Sequence, residues 1–132
     1  MPEGPAELGV RRVALLGNPN TGKTTLFNRL CATRQKTSNF PGTTQEARIG
    51  AVRHDDENAP AIELIDLPGV YSIELEMAEA ALCRAVLAGE IAPRGEVVAP
   101  PDAICVVIDA TDLGRGLVLV GEVLRRRLPT VV

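Results

Sequence analysis

A glycine-rich run near the start of the chain has the spacing of a phosphate-binding loop. Residues 17–24, GNPNTGKT, fit the pattern G-x-x-x-x-G-K-S/T at every fixed position. Glycines let the backbone fold closely around a phosphate chain, so that successive N–H groups and the positive end of a following helix point at it. The Lys23 ammonium would lie at the β and γ phosphates, and the Thr24 hydroxyl would ligate Mg²⁺. The pattern predicts a nucleotide site formed by Gly17, Asn18, Pro19, Asn20, Thr21, Gly22, Lys23, Thr24 and Thr25.

A carboxylate and a glycine further along the chain complement this loop. Asp66 lies at the end of an apolar run, and a carboxylate at the end of a strand beside the phosphate loop can hold Mg²⁺ directly or through water. Gly69 would let a backbone N–H reach a γ phosphate. Asp-x-x-Gly alone is typical of a turn, but together with the phosphate loop it indicates a second part of the same site.

Residues 33–45 lie between these two motifs and have no apolar period. We interpret them as a loop, which at this length is uncommon in a compact domain unless it is functional. Nucleotide switches keep a threonine here that closes over Mg²⁺ and the γ phosphate. Thr44 is our first choice and Thr43 the second, and ordinary loop threonines are the alternative. The catalytic candidates are therefore Lys23, Thr44 and Gly69, with Thr24, Thr44 and Asp66 as ligands of Mg²⁺.

The elements that must position these residues alternate between strand and helix. Residues 46–53 alternate like a half-exposed strand antiparallel to the next one, and residues 103–108 form the continuous apolar run of a central parallel strand. These patterns predict an α/β domain with a mostly parallel sheet and one antiparallel strand, after a flexible leader at residues 1–9. Strands are predicted at 10–16, 46–53, 61–67, 103–108 and 129–132, and helices at 22–31, 75–89 and 113–128.

Composition and charge exclude several classes of function. The 132 residues carry 14 basic and 17 acidic side chains, a net charge of −3. This balance does not provide the excess of positive charge expected of a protein that binds nucleic acid. No apolar run approaches the roughly 18 residues of a transmembrane helix, and the start lacks the features of a secretory signal. We therefore predict a cytoplasmic location. The three cysteines are predicted to be buried free thiols, and His54 is predicted to lie in a solvated acidic turn.

Four sequence motifs closely resemble those of a known family. GNPNTGKTTLFNRL, NFPGTTQEARIG, DLPGVYSIE and VVIDATDLGRGLVLV are similar to the cytosolic G domain at the N-terminus of bacterial ferrous iron transport protein B. The resemblance covers residues 10–132 and implies a partial P-loop NTPase domain of the translation-factor-like GTPase type. It also implies GTP and GDP as nucleotides and Thr44 as the switch-loop threonine. Asp66 and Gly69 would belong to the second switch, and Asn20 is a candidate K⁺ ligand.

The sequence also departs from this family pattern. The Asn/Thr-Lys-x-Asp motif that reads guanine is expected after the strand near Pro129 and is not in the 132 residues, so base specificity rests on the resemblance. The C-terminal strand and helices of such a domain are missing too, and we expect exposed apolar surface through which copies could associate. Val70 replaces the glutamine that orients water in many GTPases, so slow hydrolysis is expected unless residues 33–45, K⁺ or a partner completes the site.

The leading hypothesis is a GTP-binding, slowly hydrolysing switch of a ferrous iron transport system. It would act at the inner face of the membrane with an iron-permease region or other transport proteins. Two alternatives remain open. One is a soluble assembly GTPase of the ribosome or of tRNA modification, and the other is a truncated module that binds phosphates without turnover.

Overall fold

The chain folds around one six-stranded β-sheet with helices on both faces. The structure is a computed structural model that describes residues 11–52 and 58–132, so the predicted leader and His54 lie outside the described residues. The strands are β1 (Arg11–Gly17), β2 (Gln35–Asn39), β3 (Glu46–Ala51), β4 (Ile62–Asp66), β5 (Ala103–Val107) and β6 (Thr130–Val131); the helices are α1 (Lys23–Cys31), α2 (Ala78–Leu87) and α3 (Leu113–Leu124), with a 3₁₀ turn at Ala110–Asp112.

The order of the strands across the sheet is β2-β3-β4-β1-β5-β6. Strand β1 is central and parallel to both β4 and β5, and β6 continues the parallel part. Strand β3 is antiparallel to β2 and to β4, so it alone runs against the others, as the sequence predicts. The register pairs Leu15 with Asp66, which places the end of β4 beside the start of the phosphate loop at the same edge of the sheet.

The interpretation of residues 33–45 as one unstructured loop is wrong in part, because Gln35–Asn39 forms strand β2. This strand is mostly exposed and has no buried apolar residue, so it lacks the alternation that identifies a strand from sequence. It is held by its ladder with β3 and by the irregular connection 90–102: the Arg94 N–H donates to the Asn39 carbonyl at 2.9 Å, and the Ser38 hydroxyl donates to the Arg94 carbonyl.

Two predicted helices are shorter than their apolar periods suggest. Helix α2 begins at Ala78, since Leu75 is exposed and the residue before the helix, Met77, is extended. Helix α3 ends at Leu124, and Arg127 has a left-handed backbone with φ of 60°, so Leu128 is no longer helical. Within the described residues no helix combines the length and hydropathy needed to cross a membrane.

The apolar core is divided unequally between the two faces of the sheet. Among the residues that the structure describes, the larger part lies under α2 and α3, whereas the part under α1 contains four buried residues: Leu15, Phe27, Cys31 and Leu64. On the α1 face of β5, Cys105 and Val107 are only half-buried. These two side chains are therefore only partly covered, while the exposed apolar surface expected from the sequence stays a prediction.

All three cysteines are free thiols. Cys31 and Cys83 are buried, as predicted, while Cys105 is half-buried. Burial raises the pKa of Cys83 to about 12, because the thiolate would lose its hydration inside the core. This thiol therefore stays protonated and acts as a small apolar side chain.

Gly50 is the position where α1 packs directly against β3. A Cβ atom at this residue would collide with the Cys31 sulfur and lie 2.9 Å from Phe27 Cζ. We predict that Gly50→Ala lowers the free energy of unfolding by about 1–3 kcal/mol, the usual cost of overpacking. Urea denaturation checks this, with Gly121→Ala as the control. Gly121 is an α3 residue with open space around it, and alanine there should stabilise the helix by about 0.5–1 kcal/mol. Equal effects of the two substitutions would contradict the close packing at Gly50.

Candidate functional site

The loop between β1 and α1 is built from residues that accept unusual backbone geometry. Gly17 has no room for a side chain, because a Cβ atom there would lie 2.9 Å from the Val107 carbonyl oxygen. Asn20 and Gly22 have left-handed backbones, with φ of 64° and 84°. Helix α1 follows directly, and no side chain caps its N-terminus. Its first N–H groups are therefore available to an anion, and the helix dipole favours one there.

This loop lines a cavity of about 500 Å³ at the edge of the sheet. The residues that line the cavity include every predicted residue of the phosphate loop except Gly17. They also include Gly69, from the segment after β4. The lining residues are Asn18, Pro19, Asn20, Thr21, Gly22, Lys23, Thr24, Thr25 and Gly69.

Lys23 and Asp66 form an ion pair behind this cavity. The Lys23 ammonium donates to the Asp66 carboxylate and, at 2.7 Å, to the Leu67 carbonyl oxygen. Only about a tenth of each side chain is exposed, so both charges are largely removed from water and depend on each other. The pair connects the start of α1 to the end of β4, which are the two elements that carry the predicted phosphate and Mg²⁺ ligands.

Gly69 lies between two backbone anchors. The Leu67 N–H donates to the Leu15 carbonyl at 3.1 Å, and the Val70 N–H donates to the Gly17 carbonyl at 3.0 Å. The Gly69 N–H itself has no hydrogen bond to any residue of the described part of the chain. A Cβ atom at Gly69 would lie 3.0 Å from Pro19 Cα, so only glycine brings the backbone this close to the phosphate loop.

The side chain of Val70, the residue after Gly69, belongs to the apolar core rather than to the cavity. Its side chain is 1% exposed and packs in the core under α2 and α3. Its carbonyl oxygen accepts a hydrogen bond from the Asn18 side-chain amide at 2.9 Å. Residue 70 thus joins the segment after β4 to the phosphate loop, and its side chain faces away from the cavity.

The structure does not bring Thr44 to the phosphate cavity. Thr44 is exposed and lies with residues 42–45 in a separate, mostly apolar cleft of about 450 Å³ against α2. Thr43 belongs to a turn closed by Gly42, in which its hydroxyl donates to the Phe40 carbonyl at 3.0 Å and accepts from the Gln45 N–H. Thr43 is therefore committed to the turn, whereas the Thr44 side chain has no such bond to the described residues.

Sequence reasoning missed the residues that hold the segment following Gly69. The Glu122 carboxylate accepts hydrogen bonds from the Ser72 hydroxyl at 2.6 Å and from the Ile73 N–H at 2.9 Å. The Arg84 guanidinium donates to the carbonyl oxygens of Ile73 and Leu75, at 2.5 and 2.8 Å. Neither Glu122 nor Arg84 belongs to a motif. Glu122 is 49 and 50 residues from its partners and Arg84 is 9 and 11 residues from its own, and no spacing rule marks either contact.

A glycine-rich loop between a central parallel strand and a helix, paired through its lysine to the aspartate of the neighbouring strand, defines a P-loop NTPase fold of the G-domain type. The comparisons with known proteins agree. The family described as Ferrous iron transport protein B matches residues 11–132. The chain belongs to this family.

Individual relatives support the same assignment. The chain is 39% identical, over 93% of its length, to a transport protein A/transporter FeoB fusion protein of Porphyromonas gingivalis, and 34% identical, over 91%, to the Fe(2+) transporter FeoB of Escherichia coli. It spans only 13–14% of the length of these relatives.

Among solved structures, the G domain of the T. maritima FeoB iron transporter is 33% identical, with a TM-score of 0.77 over 92% of this chain and 69% of that one. An S. thermophilus NFeoB mutant bound to GDP is 35% identical, with a TM-score of 0.75 over 91% of this chain and 42% of that one.

The ion pair of Lys23 and Asp66 has a consequence for stability. We predict that Lys23→Ala lowers the free energy of unfolding by about 3 kcal/mol, because it leaves a carboxylate buried without its partner. In the double variant Lys23→Ala/Asp66→Ala the loss should be smaller than the sum of the two single losses. Urea denaturation of the four proteins measures this coupling.

Lys36→Ala is the control for removing a lysine. The Lys36 ammonium pairs with Glu96 at 3.1 Å but its side chain is 63% exposed, so less than about 1 kcal/mol should be lost. A Lys23→Ala variant as stable as Lys36→Ala would show that the buried pair does not stabilise the fold.

Proposed function

We propose that this chain is a GTP-binding, slowly hydrolysing and Mg²⁺-dependent switch module of a ferrous iron transport system. The observation that carries the proposal is the cavity in which the phosphate loop meets Gly69, whose N–H has no hydrogen-bond partner among the described residues. Relatives of known structure support the nucleotide, since S. thermophilus NFeoB is bound to GDP and the cytosolic domain of T. maritima FeoB is in a GMPPNP form.

The phosphate loop would hold the α and β phosphates through its backbone N–H groups and the start of α1. Lys23 is already at the wall of the cavity, where its ammonium can donate to β and γ phosphate oxygens while remaining close to Asp66. The unpaired Gly69 N–H would donate to the γ phosphate. Because GDP lacks that phosphate, Gly69 is the group through which the module distinguishes the two nucleotides.

Hard oxygen ligands suit Mg²⁺, and this site offers the Thr24 hydroxyl in the cavity and the Asp66 carboxylate behind it. When bound, Mg²⁺ neutralises charge on the β and γ phosphate oxygens. The Lys23 ammonium now occupies one Asp66 oxygen, so its movement toward the phosphates would leave that oxygen available to the metal or to a water on the metal.

The reaction is the transfer of the γ-phosphoryl group to water. The water oxygen forms a bond to the γ phosphorus, the bond to the bridging oxygen breaks, and GDP and inorganic phosphate leave. The chain positions the phosphates but offers no side chain at Val70 to orient the water, because that side chain is buried in the core. Slow hydrolysis follows, unless K⁺ at Asn20, residues 33–45 or a partner completes the site.

Thr44 would have to move to act as the switch threonine. It lies against α2, on the exposed tip of the segment between Phe40 and Ala47, both of which are fully buried. We propose that this tip closes over Mg²⁺ and the γ phosphate when GTP binds, and that it returns to the α2 cleft in the GDP state. The movement would report the nucleotide to an iron-permease region at the inner face of the membrane.

Titration of the purified chain with fluorescent GDP, GTP and ATP analogues in Mg²⁺ tests this function. We expect micromolar binding that prefers guanine, is at least tenfold weaker in Lys23→Ala and is unchanged in Lys36→Ala, because only Lys23 lies in the cavity. The unfolding curves described above ensure that the Lys23 variant is folded at the temperature used.

Other results of this titration, and of assays of phosphate release and ribosome binding, would favour other functions. Weak binding without a preference between ATP and GTP would support the truncated phosphate-binding module instead. Equal phosphate release by the parent and by Lys23→Ala would mean that the cavity does not hydrolyse GTP. Ribosome binding at low salt would support the assembly GTPase.

K⁺ dependence is tested separately. We expect faster single-turnover hydrolysis in K⁺ than in Na⁺ if the Asn20 side chain ligates the cation beside the phosphates. Asn20→Gly is the suitable variant, because glycine keeps the left-handed backbone at φ of 64° without strain while removing the amide. Equal rates of the parent in the two salts would exclude the role of K⁺.

A further inference from the structure

The segment from Val70 to Leu75 follows Gly69 on the way to α2, and it is held by the buried side chains of Val70 and Ile73 and by polar contacts from other elements. We propose that Glu122 of α3 is a positioning residue of the GTPase site, which keeps Gly69 beside the phosphate loop by fixing the segment that follows it. This inference rests on the proposed function, since it concerns the group that would contact the γ phosphate.

The front of the segment is anchored to the phosphate loop. Both backbone groups of Val70 are used, the N–H by the Gly17 carbonyl and the carbonyl oxygen by the Asn18 amide. The buried Val70 side chain adds an apolar anchor in the core. These anchors hold Val70 beside the phosphate loop, so Gly69 can move away from that loop only if Val70 moves too.

The back of the segment is anchored to α3 through one carboxylate. Each oxygen of Glu122 accepts one hydrogen bond, Oε2 from the Ser72 hydroxyl at 2.6 Å and Oε1 from the Ile73 N–H at 2.9 Å. The Ser72 oxygen in turn accepts the Glu74 N–H at 3.0 Å, so three successive residues depend on this network. Hydrogen bonds to a charged acceptor are among the stronger ones in proteins.

Helix α3 is a rigid base for this contact. It is anchored in the core by Leu119 and Val123, both fully buried, which lie within about 100° of Glu122 around the helix axis. Two arginines near Glu122 also contact the segment. The Arg115 guanidinium of α3 lies 4.8 Å from the centre of the Tyr71 ring. Arg126, just after α3, pairs with Glu74 at 3.8 Å. Tyr71 and Glu74 are both exposed, so their contacts with the two arginines are expected to be weaker than the hydrogen bonds of Glu122.

The position of Gly69 should therefore depend on Glu122 without any contact between the two. Loss of the carboxylate would remove the two hydrogen bonds that tie Ser72 and Ile73 to α3. Gly69 would then depend on the front anchor at Val70 and, further along, on the buried Ile73 side chain and the Arg84 hydrogen bonds. The contacts of the phosphate loop with the α and β phosphates would remain. A nucleotide with a γ phosphate should lose affinity, whereas GDP should bind as before.

The test compares Glu122→Ala with the parent chain in Mg²⁺. We expect the affinity for a non-hydrolysable GTP analogue to fall about tenfold, the single-turnover hydrolysis rate to fall with it, and the affinity for GDP to stay within twofold. Amide hydrogen exchange at residues 70–75 should become faster, a readout that needs no nucleotide.

Two further variants make the result specific. Glu122→Gln keeps an oxygen that can accept the Ile73 N–H and an amide that can donate to the Ser72 oxygen, so it should restore most of the parent's behaviour. Glu90→Ala removes an exposed carboxylate that has no side-chain partner in the described residues, and it should match the parent.

Three results would overturn the role of Glu122. One is a folded Glu122→Ala variant whose affinities for the GTP analogue and for GDP both match those of the parent. Another is an equal loss of both affinities, because a purely structural role would produce it. The third is unchanged hydrogen exchange at residues 70–75. A parent that binds no guanine nucleotide would instead refute the proposed function, while the exchange experiment would still decide whether Glu122 holds the segment.

Discussion

The buried pair of Lys23 and Asp66 is the interaction on which the rest of the site depends. Its two charges come from the start of α1 and the end of β4, elements that are separated in sequence and brought together by the parallel pairing of β1 with β4. Neither charge would be tolerated alone in this environment. The pair therefore requires the correct register of the sheet, and it holds the lysine at the wall of the cavity rather than in solvent.

The parts of the site that could be predicted from sequence are those whose chemistry is local. The glycines and the lysine of residues 17–24 must be close in sequence, because one turn of backbone surrounds the phosphates, and the antiparallel strand β3 is visible as alternation. Strand β2 could not be predicted, because all its residues are polar and it is held by its backbone ladder with β3 and by polar contacts such as the hydrogen bond from Ser38 to Arg94. The contacts of Glu122 depend on packing between elements distant in sequence, and those of Arg84 depend on how α2 packs against the segment before it. The sequence has no spacing rule for either.

Core and site share residues in this small domain. Val70 is at once a core side chain and a backbone anchor of the cavity, and the Cys83 sulfur lies 3.8 Å from the carbonyl oxygen of Pro68, next to Gly69. A change in the packing under α2 would therefore displace the segment that contacts the phosphate loop. In the proposed switch, this arrangement would transmit a small displacement at one end of the segment to buried contacts at the other.

The buried anchors Phe40 and Ala47 also limit how far the exposed tip between them can travel. Thr44 is three residues from Ala47, and an extended chain covers about 3.5 Å per residue, so the Cα atom of Thr44 stays within about 10 Å of that anchor. While Ala47 remains buried and paired with Ser38 of β2, this radius limits the positions that Thr44 can occupy. The tip is therefore a short tether, and any larger excursion requires β3 to unzip from its start.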